Sequence, residues 1–415
     1  MATRKIKEQL TLRGDKVIWI IVLLMALISI IAVYSSSYAL ANRGDVSTFH
    51  YLFSQMKSIL ISWGVLLLFY KLSLRIYRRL AIPSIFIILL MLLGVLLQYY
   101  VLKTTAHLPA ARWLDLGFTS IQPAEFAKIA VVIYLAKILE VKAQKMKDFK
   151  TFALWILAPI GATCIMTLLG SFSATLIIGL TTVIILICSS VPRKFLLLSM
   201  AVLGLSGGIA FFCNYQFGWF SRLDTVSARV ERFFMSDEEK SKLSQEEQDK
   251  IADKEYQSNE ARQAIQLGGI QGLGAGNSIK RTTLPNPYDD YIYSIIVEEW
   301  GLIGGTLVLF LYVWFLFHCV IIVRSCKKIF SAVCVIGLST LITFQALIHI
   351  AVNIGIIPET GQTLPMISHG GTAYMLMSAA FGIILAINRT IEISKEKEEK
   401  EKNALLWNNA EQKLS

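Results

Sequence analysis

Long apolar segments are the feature of this sequence that most restricts its fold. A helix that crosses a lipid bilayer needs about 20 predominantly apolar residues, and ten segments of the chain qualify or nearly so. They are 17–38, 54–72, 80–102, 123–141, 151–169, 172–191, 195–214, 291–323, 329–353 and 367–388. We therefore predict an all-α polytopic membrane protein with ten transmembrane helices. The fifth and sixth segments are close enough to form a tight hairpin.

Composition agrees with this fold class. Of the 415 residues, 55% are hydrophobic and 17% are charged. Soluble domains carry about 25% charged residues, so the surplus apolar surface must face lipid. The six cysteines lie in or beside apolar segments without a CxxC pair, which predicts packing roles rather than disulfides or metal sites. The apolar run after Lys16 is too long for a signal peptide, and we expect it to remain as the first span.

Positive charge is concentrated in short loops. The net charge of +11 arises from 40 basic and 29 acidic residues, and the basic ones gather before the first span and after the second, fourth, sixth and eighth. By the positive-inside rule these loops are cytoplasmic. With ten spans both termini are then cytoplasmic, residues 1–16 as a leading segment and 389–415 as a charged tail that is either helical or disordered. The charge is a topology signal and predicts no nucleic-acid partner.

The outer side carries the long connections, and 215–290 is the largest of them. Residues 236–263 within it are almost wholly polar. Ser236 with Glu239 fits a capping box, as does Ser244 with the glutamate three residues later. We predict one or two solvated helices there, without a chemical role.

The candidate site lies in residues 268–300, which read GGIQGLGAGNSIKRTTLPNPYDDYIYSIIVEEW. This stretch turns basic at Lys280 and Arg281 and reaches Asp289 and Asp290 just before a long apolar helix. One of these carboxylates either caps the helix or serves as a general base or cation ligand at the mouth of a cavity. The two interpretations are compatible, and the residues alone do not choose between them.

Two further features of this stretch have a structural and a functional interpretation. Glu298 and Glu299 lie about two turns inside the apolar helix, where a carboxylate needs a partner or a proton, and a structural salt bridge is the favoured interpretation. The glycine run 268–277 lacks the ending of a nucleotide P-loop. It predicts a turn or close helix packing, and backbone N–H groups near a diphosphate are the alternative.

A second polar stretch, AARWLDLGFTSIQPAEFAKIA, leads into the fourth span. Gln122 and Pro123 open a helix at a position that tolerates proline. Glu125 and Lys128 are three residues apart on one helix face, which favours a structural ion pair. Arg112 lies outside the membrane plane and suits an anion such as phosphate.

The last outer loop reads GIIPETGQTLPMISHGGTAYM, with an irregular glycine- and proline-rich backbone at the membrane edge. Such a backbone must pack on protein or line a wet cavity, where Ser368 and His369 can donate hydrogen bonds. A Ser-His-Asp triad with Asp290 is rejected, because the serine and histidine are sequence neighbours and no nucleophile elbow is present. The other histidines show no metal-ligand spacing.

Four phrases of the chain resemble one protein family. AARWLDLGFTSIQPAEFAKIA, GLGAGNS, LPNPYDDYIYSIIVEEWG and TLPMISHGGT are similar to the SEDS proteins (shape, elongation, division and sporulation) of bacteria. The resemblance covers most of the chain, and TLP before ISHGG looks more like the division member than the elongation member. Two positions depart from the family pattern: Ser171 stands where an aspartate is usual, and His369 where an aromatic residue is common.

The resemblance implies polymerisation of peptidoglycan glycan strands from lipid II at the outer face of the plasma membrane, during septal synthesis. It places the family's essential carboxylate at Asp290. We assign substrate or diphosphate binding to Arg112, Lys128, Lys280, Arg281 and Ser368, and supporting roles to Gln122, Glu125, Asp289, Glu298 and Glu299. It also implies a class B penicillin-binding transpeptidase and other division proteins as partners.

The mechanism expected on this basis is an inverting displacement. A sugar 4-hydroxyl attacks the anomeric carbon of the growing strand, Asp290 takes its proton, and undecaprenyl diphosphate leaves. A divalent cation, Mg²⁺ or Mn²⁺, is compatible with this chemistry and Asp290 is its candidate ligand, whereas no organic cofactor is required. The competing interpretations are a lipid II flippase, a scaffold for the transpeptidase, and an elongation-type polymerase.

Overall fold

The structure is a computed structural model that describes residues 13–43, 48–105, 111–117, 120–189, 191–201, 204, 208, 221–236, 239, 244–285 and 287–414. Within these residues the fold is almost entirely helical. The helices are α1 (Lys16–Arg43), α2 (Thr48–Lys71), α3 (Leu74–Leu96), α4 (Pro123–Lys142), α5 (Phe149–Phe152), α6 (Ala158–Leu168), α7 (Phe172–Ile187), α8 (Ser221–Phe234), α9 (Gln245–Gly268), α10 (Ile292–Arg324), α11 (Ile329–Asn353) and α12 (Gly371–Leu414). Single π-helical turns extend α3 (Leu97–Val101) and join α5 to α6 (Ala153–Leu157).

The chain is an all-α polytopic membrane protein. Seven helices of the described part are long and apolar enough to cross a bilayer, among them α3, α10 and α11. The predicted fourth span is α4, a 20-residue helix with 14 buried residues, which carries five charged side chains. The predicted sixth span is too long, since α7 ends at Ile187 after 16 residues. Of the predicted seventh span 195–214, only residues to 201, with 204 and 208, are described, and they are helical.

Helix α11 occupies the centre of the bundle. Its most apolar stretch of 18 residues is 83% buried, against 22% for the corresponding stretch of α2. α11 packs against α10 on one side and against α4 and α7 on another, while α12 lies along α2. The site described below sits at the end of this bundle where α11 finishes and α10 begins.

At the opposite end of the bundle, residues 13 and 14 contact helix α12. Arg13 pairs with Glu396 at 3.2 Å, and the Gly14 N–H donates to Glu392 at 2.7 Å. The charged tail predicted for 389–415 is therefore helical, as a continuation of α12 to Leu414. These contacts place residues near both termini at one end. That this end is cytoplasmic stays a prediction from the basic loops.

A two-stranded hairpin closes the gap between α3 and α4. Its strands β1 (Leu114–Asp115) and β2 (Ser120–Ile121) are antiparallel. Gln98 at the end of α3 fixes the hairpin, because its side chain donates to the Asp115 carbonyl at 2.7 Å and accepts from the Asp115 N–H at 3.0 Å. The hairpin in turn fixes Arg112, two residues before β1.

Helix α10 is broken at Gly301, whose φ of 68° and ψ of −172° are not helical. The glycine run lies against the break. Leu273 and Gly274 donate to the carbonyls of Glu298 and Glu299, each at 2.9 Å, and these are carbonyls that the broken helix leaves open. A Cβ on Gly301 would lie 2.1 Å from the Ile270 carbonyl oxygen, so only glycine fits.

The glycine run therefore serves close packing, as the sequence predicted. Its amide groups at 273 and 274 are consumed by α10 and are not available to a diphosphate.

Candidate functional site

The turn at residues 288–290, just before α10, is fixed at three consecutive carbonyls. The Tyr288 carbonyl accepts from the His369 N–H at 2.9 Å, and the next accepts from Ser368 Oγ at 2.8 Å. The third, that of Asp290, accepts from Asn353 Nδ2 at 3.1 Å. Every donor comes from the end of α11 or from the loop that follows it. The two aspartates therefore stand on a backbone with little freedom to move.

Asp290 is a half-buried carboxylate surrounded by charge. Burial raises its pKa above the ordinary value, and Glu359 raises it further, whereas Arg112 and Arg229 lower it. The backbone at Gly361 lies beside Asp290 Oδ2, so the last outer loop forms one wall of the site. A half-buried carboxylate with a raised pKa and charged neighbours marks this turn as the candidate site.

Arg112 lies beside the β-hairpin, and its charge acts on Asp290. Its Nε donates to the carbonyl of Gly170, at the end of α6, at 3.0 Å. A Cβ on Gly170 would lie 2.2 Å from the Ala111 carbonyl oxygen, so the hairpin and the α6–α7 turn are in direct backbone contact. The charge of Arg112 acts on Asp290 from this position and lowers its pKa.

Arg229 and Glu359 are site residues that the sequence reasoning missed. Arg229, on α8, donates from Nη1 to the Glu359 carbonyl at 3.0 Å, and Tyr291 donates its hydroxyl to Glu359 Oε1 at 3.0 Å. The sequence offered only a weak signal for these two residues. Arg229 is one arginine of an amphipathic outer helix, and Glu359 lies in the PETG turn. Arg229 and Glu359 are 61 and 69 positions from Asp290 in the sequence, so their approach to it depends on tertiary packing.

Asp289 and His369 form a second titratable pair beside Asp290. His369 Nδ1 lies 3.9 Å from Asp289 Oδ1. Burial, reinforced by the charge of Asp290, raises the pKa of Asp289 to about 7, and burial lowers the pKa of His369. Ser368 is not a nucleophile here, because its hydroxyl donates to the Asp289 carbonyl and accepts from the Leu364 N–H at 2.8 Å.

Lys128 lies in the interior of the bundle and not at the outer rim. Its Nζ is 2.7 Å from Glu125 Oε2 and 2.7 Å from Gln345 Oε1, and 3.4 Å from Gln362 Oε1. The predicted Glu125–Lys128 ion pair is therefore present. It ties α4 to α11 and to the last outer loop, which carries Glu359. Gln122 caps α4 by position, without a side-chain hydrogen bond.

Lys280 and Arg281 are held by protein groups. Lys280 Nζ lies 3.0 Å from Glu260 Oε1 on α9, and Arg281 Nη1 donates to the Ser35 carbonyl at 3.3 Å. Glu260 is only 8% exposed, so the expectation that 236–263 is merely a solvated face is wrong for the last turns of α9. At the other end of this segment, the capping box of Ser236 is confirmed by its reciprocal bonds.

The two glutamates inside α10 hold neighbouring segments: Glu298 the preceding loop and Glu299 helix α1. Glu298 Oε1 accepts from the backbone N–H groups of Ile279 and Lys280 at 2.8 and 3.1 Å, and Oε2 accepts from Ser278 Oγ at 2.5 Å. Glu299 accepts from the Ser35 hydroxyl. Hydrogen bonds thus hold Glu298 where a salt bridge was expected, and both glutamates have the supporting role predicted for them.

No group of three or more histidine, cysteine, aspartate or glutamate side chains is arranged to hold a metal ion among the residues that the structure describes. A cation at Asp290 would need oxygen ligands from a bound substrate, as is usual for Mg²⁺ at phosphate sites.

Two proteins of Bacillus subtilis are similar in sequence to this chain along nearly its whole length. "Probable peptidoglycan glycosyltransferase FtsW" of Bacillus subtilis (strain 168) is 30% identical over 403 residues, covering 95% of each chain. Stage V sporulation protein E of the same organism is 28% identical and covers 90% of this chain and 97% of its own.

Two solved structures share the fold. One, described as "Structural coordination of polymerization and crosslinking by a peptidoglycan synthase complex", has a TM-score of 0.69 at 21% identity and covers 92% of this chain and 99% of its own. The other, the rod shape determining protein RodA of Thermus thermophilus, has a TM-score of 0.62 at 19% identity and covers 91% and 97%. The family described as cell cycle protein, which comprises FtsW, RodA and SpoVE, matches residues 15–393, and this chain belongs to that family.

Proposed function

We propose that this protein is a peptidoglycan glycosyltransferase that polymerises lipid II into glycan strands at the outer face of the plasma membrane. The observation that carries the proposal is how the structure holds Asp290 and which charges surround it. The backbone carbonyl of Asp290 accepts a hydrogen bond from Asn353, and its carboxylate, just before α10, is influenced by the charges of Arg112 and Arg229. The names of the sequence relatives support the same reaction class.

Asp290 is the general base. The C4 hydroxyl of the incoming sugar attacks the anomeric carbon of the growing strand, and its proton passes to the Asp290 carboxylate. A new carbon–oxygen bond forms while the bond from the anomeric carbon to the diphosphate breaks, and the configuration inverts. One base and a good leaving group suffice for this displacement. The raised pKa of Asp290 makes it a stronger base than an exposed aspartate.

Arg112 and Arg229 supply positive charge near Asp290. A diphosphate leaving group gains negative charge in the transition state, and a guanidinium binds phosphate oxygens in a bidentate manner. Arg112 is the proposed diphosphate ligand. Lys128, Lys280 and Arg281 act through structure instead, because each has protein partners that fix the walls of the site.

A divalent cation fits this site only in part. Asp290 would supply one oxygen and the substrate's diphosphate the others, which matches the way Mg²⁺ binds phosphate esters. Such a cation would neutralise the leaving diphosphate. Polymerisation before and after chelation, with Mg²⁺ or Mn²⁺ restored, tests this part of the proposal.

We place the protein at the division septum, acting with a class B penicillin-binding transpeptidase. Support comes from the relatives named FtsW and from structural likeness to a chain of a peptidoglycan synthase complex. A role in elongation is the alternative.

A lipid II flippase is the second candidate, and one observation favours it. Transporters often carry discontinuous helices near the bilayer midplane, and α10 is broken at Gly301. The break is filled by the glycine run, however, and its carbonyls are satisfied. A filled break supports a fixed platform for Asp290 better than a moving gate.

The test is polymerisation of labelled lipid II by the purified protein with its transpeptidase partner, in a background without other glycosyltransferase activity. We expect polymer from the wild type and from Asp148→Asn, which alters an exposed carboxylate that caps α5. Asp290→Asn should fold and yield no polymer. Equal polymer from Asp290→Asn would remove Asp290 as the base. Transport of lipid II without polymer from the wild type would favour the flippase.

A further inference from the structure

The last two turns of α9 lie against α10 and α11, the two helices that hold Asp290. Ala261 is completely buried in a small apolar cluster with Tyr291, the residue after Asp290. A Cβ on Gly268 would lie 2.1 Å from the Val297 carbonyl oxygen, so the end of α9 also touches the backbone of α10. These contacts make the end of α9 a fixed support beside the site.

Helix α11 ends next to this support in a Schellman motif. The N–H of Gly355 donates to the Val352 carbonyl at 3.0 Å, and the N–H of Ile356 donates to the Ala351 carbonyl at 2.8 Å. Gly355 has a φ of 77°, the left-handed conformation that this motif requires just beyond the helix. The motif fixes the last turn of α11 and the direction in which the chain leaves it.

Arg262 of α9 covers the glycine of this motif. A Cβ on Gly355 would lie 2.2 Å from Arg262 Nε and 2.6 Å from its Cζ, so the guanidinium fills the space that a side chain would occupy. The Nε of Arg262 is buried and has no hydrogen-bond partner in the described part of the chain. The C-terminal end of a helix carries partial negative charge that a nearby cation stabilises. Arg262 therefore stabilises the end of α11 by contact and by charge.

We propose that Arg262 is a positioning residue for the proposed reaction, because it holds the turn of α11 from which Asn353 bonds the Asp290 carbonyl. Asn353 is the last residue of α11 and lies two positions before Gly355. Without the guanidinium this turn gains freedom, and the base spends less time in reach of the attacking hydroxyl. The inference rests on the proposed function and adds to it a residue of the large outer loop.

Arg262 acts on Asp290 through position and not through its own charge. The charged groups that shift the pKa of Asp290 are Arg112, Glu359 and Arg229. All three remain in place when Arg262 is replaced. The replacement should therefore lower kcat more than it raises KM.

The kinetic test is polymerisation of labelled lipid II by the full chain with its transpeptidase partner. Gln266→Ala, which changes an exposed residue one turn further along α9, is the matched control. We expect Arg262→Gln to lower kcat by about tenfold and Gln266→Ala to leave it unchanged. Arg262→Lys keeps a cation at the end of α11 and should recover part of the loss. An unchanged kcat in Arg262→Gln would overturn the proposal.

Hydrogen–deuterium exchange of the same variants in detergent tests the contact without an activity measurement. Arg262→Gln should speed exchange at the N–H groups of Gly355, Ile356 and Ser294, the last of which donates to Asn353. Exchange in the first turns of α11, at 329–336, should stay as in the wild type. Unchanged exchange at all these groups would overturn the proposal, as would an equal rise along the whole of α11.

The two measurements separate this inference from the proposed function. If the wild type polymerises lipid II and Arg262→Gln has a normal kcat, the positioning role fails alone. If the wild type makes no polymer, the reaction assigned to Asp290 falls. Faster exchange at Ser294 in Arg262→Gln would then still support the hold of Arg262 on the end of α11.

Discussion

Asn353, the last residue of α11, donates a hydrogen bond from Nδ2 to the carbonyl of Asp290, 63 positions earlier in the chain, at 3.1 Å. Its Oδ1 accepts from the backbone N–H and the hydroxyl of Ser294 at 3.1 and 2.8 Å. One buried amide thus fixes both the residue that carries the proposed base and the first turn of the helix behind it. The last turn of the most buried helix determines where Asp290 stands.

Replacing Asn353 should reduce activity more than it reduces folding. Asn353→Ala leaves the Asp290 carbonyl and the Ser294 N–H without this partner, at a cost of about 1–3 kcal/mol for a buried polar group. Displacement of the base by a fraction of an ångström lowers the rate by about tenfold to a hundredfold. Thermal unfolding and polymerisation rate together check this. Asn277→Ala, which removes an exposed amide bonded to Leu273, should change neither, and a full rate in Asn353→Ala would contradict the positioning role.

The charges around Asp290 should set the acidic limb of the pH–rate profile. A general base must be ionised, so the limb follows the pKa of Asp290. Glu359 raises that pKa, and Glu359→Gln removes the charge while keeping an oxygen for the Tyr291 hydroxyl. The limb should therefore move to lower pH. Arg229 lowers the same pKa, so Arg229→Gln should move the limb to higher pH. Initial rates measured across the acidic pH range test both shifts. A shift of the limb in the same direction for both variants would contradict the assignment of Asp290 as the base.

Asp289 should make stability fall as pH rises toward neutrality. Its pKa is raised from 3.8 to about 7 in the folded protein. Between those values the folded state holds a proton that the unfolded chain releases, so the free energy of unfolding decreases with pH. Asp289→Asn lacks this penalty and should gain on the wild type from about pH 4 to about pH 7, with a constant difference above.

Thermal unfolding at several pH values measures this difference. Glu239→Gln is a control for which the pH dependence of stability should have the opposite sign. Hydrogen bonds from the Ser236 N–H and hydroxyl lower the pKa of Glu239, so the wild type should be favoured at neutral pH and lose that advantage on acidification. A pH-independent difference for Asp289→Asn would show that this carboxylate does not hold its proton.

Gly301 should not tolerate a side chain. A Cβ there would meet the Ile270 carbonyl at 2.1 Å, and its φ of 68° is unfavourable for other residues. We expect Gly301→Ala to destabilise the protein by more than about 3 kcal/mol. Gly179→Ala, in α7 with no atom within 4 Å of the added carbon, should stabilise by up to about 1 kcal/mol. Expression level and thermal unfolding compare the two, and equal stability would mean that the break is not packed as described.

The sequence predicted features that depend on local pattern. Apolar periodicity located α11 at 329–353, the bounds that the structure gives, and the polar-to-apolar change located Asp290 at the start of α10. Each of these depends on residues close in sequence.

Features that depend on tertiary contacts were missed. Lys128 was assigned to the diphosphate through the family resemblance, and its contacts with Gln345 and Gln362 were not predicted. Arg229 and Glu359 meet only because α8 folds over the last outer loop. The length of α7 was overestimated because apolar residues continue past Ile187, where the helix ends.

The break at Gly301 couples the position of Asp290 to the large outer loop. The nine residues of α10 before the break are bonded through Glu298 and Glu299 to the outer glycine run. That run leads directly from α9. A protein that binds the large outer loop would therefore shift the segment of α10 before the break, next to Asp290. The part of α10 after the break need not move.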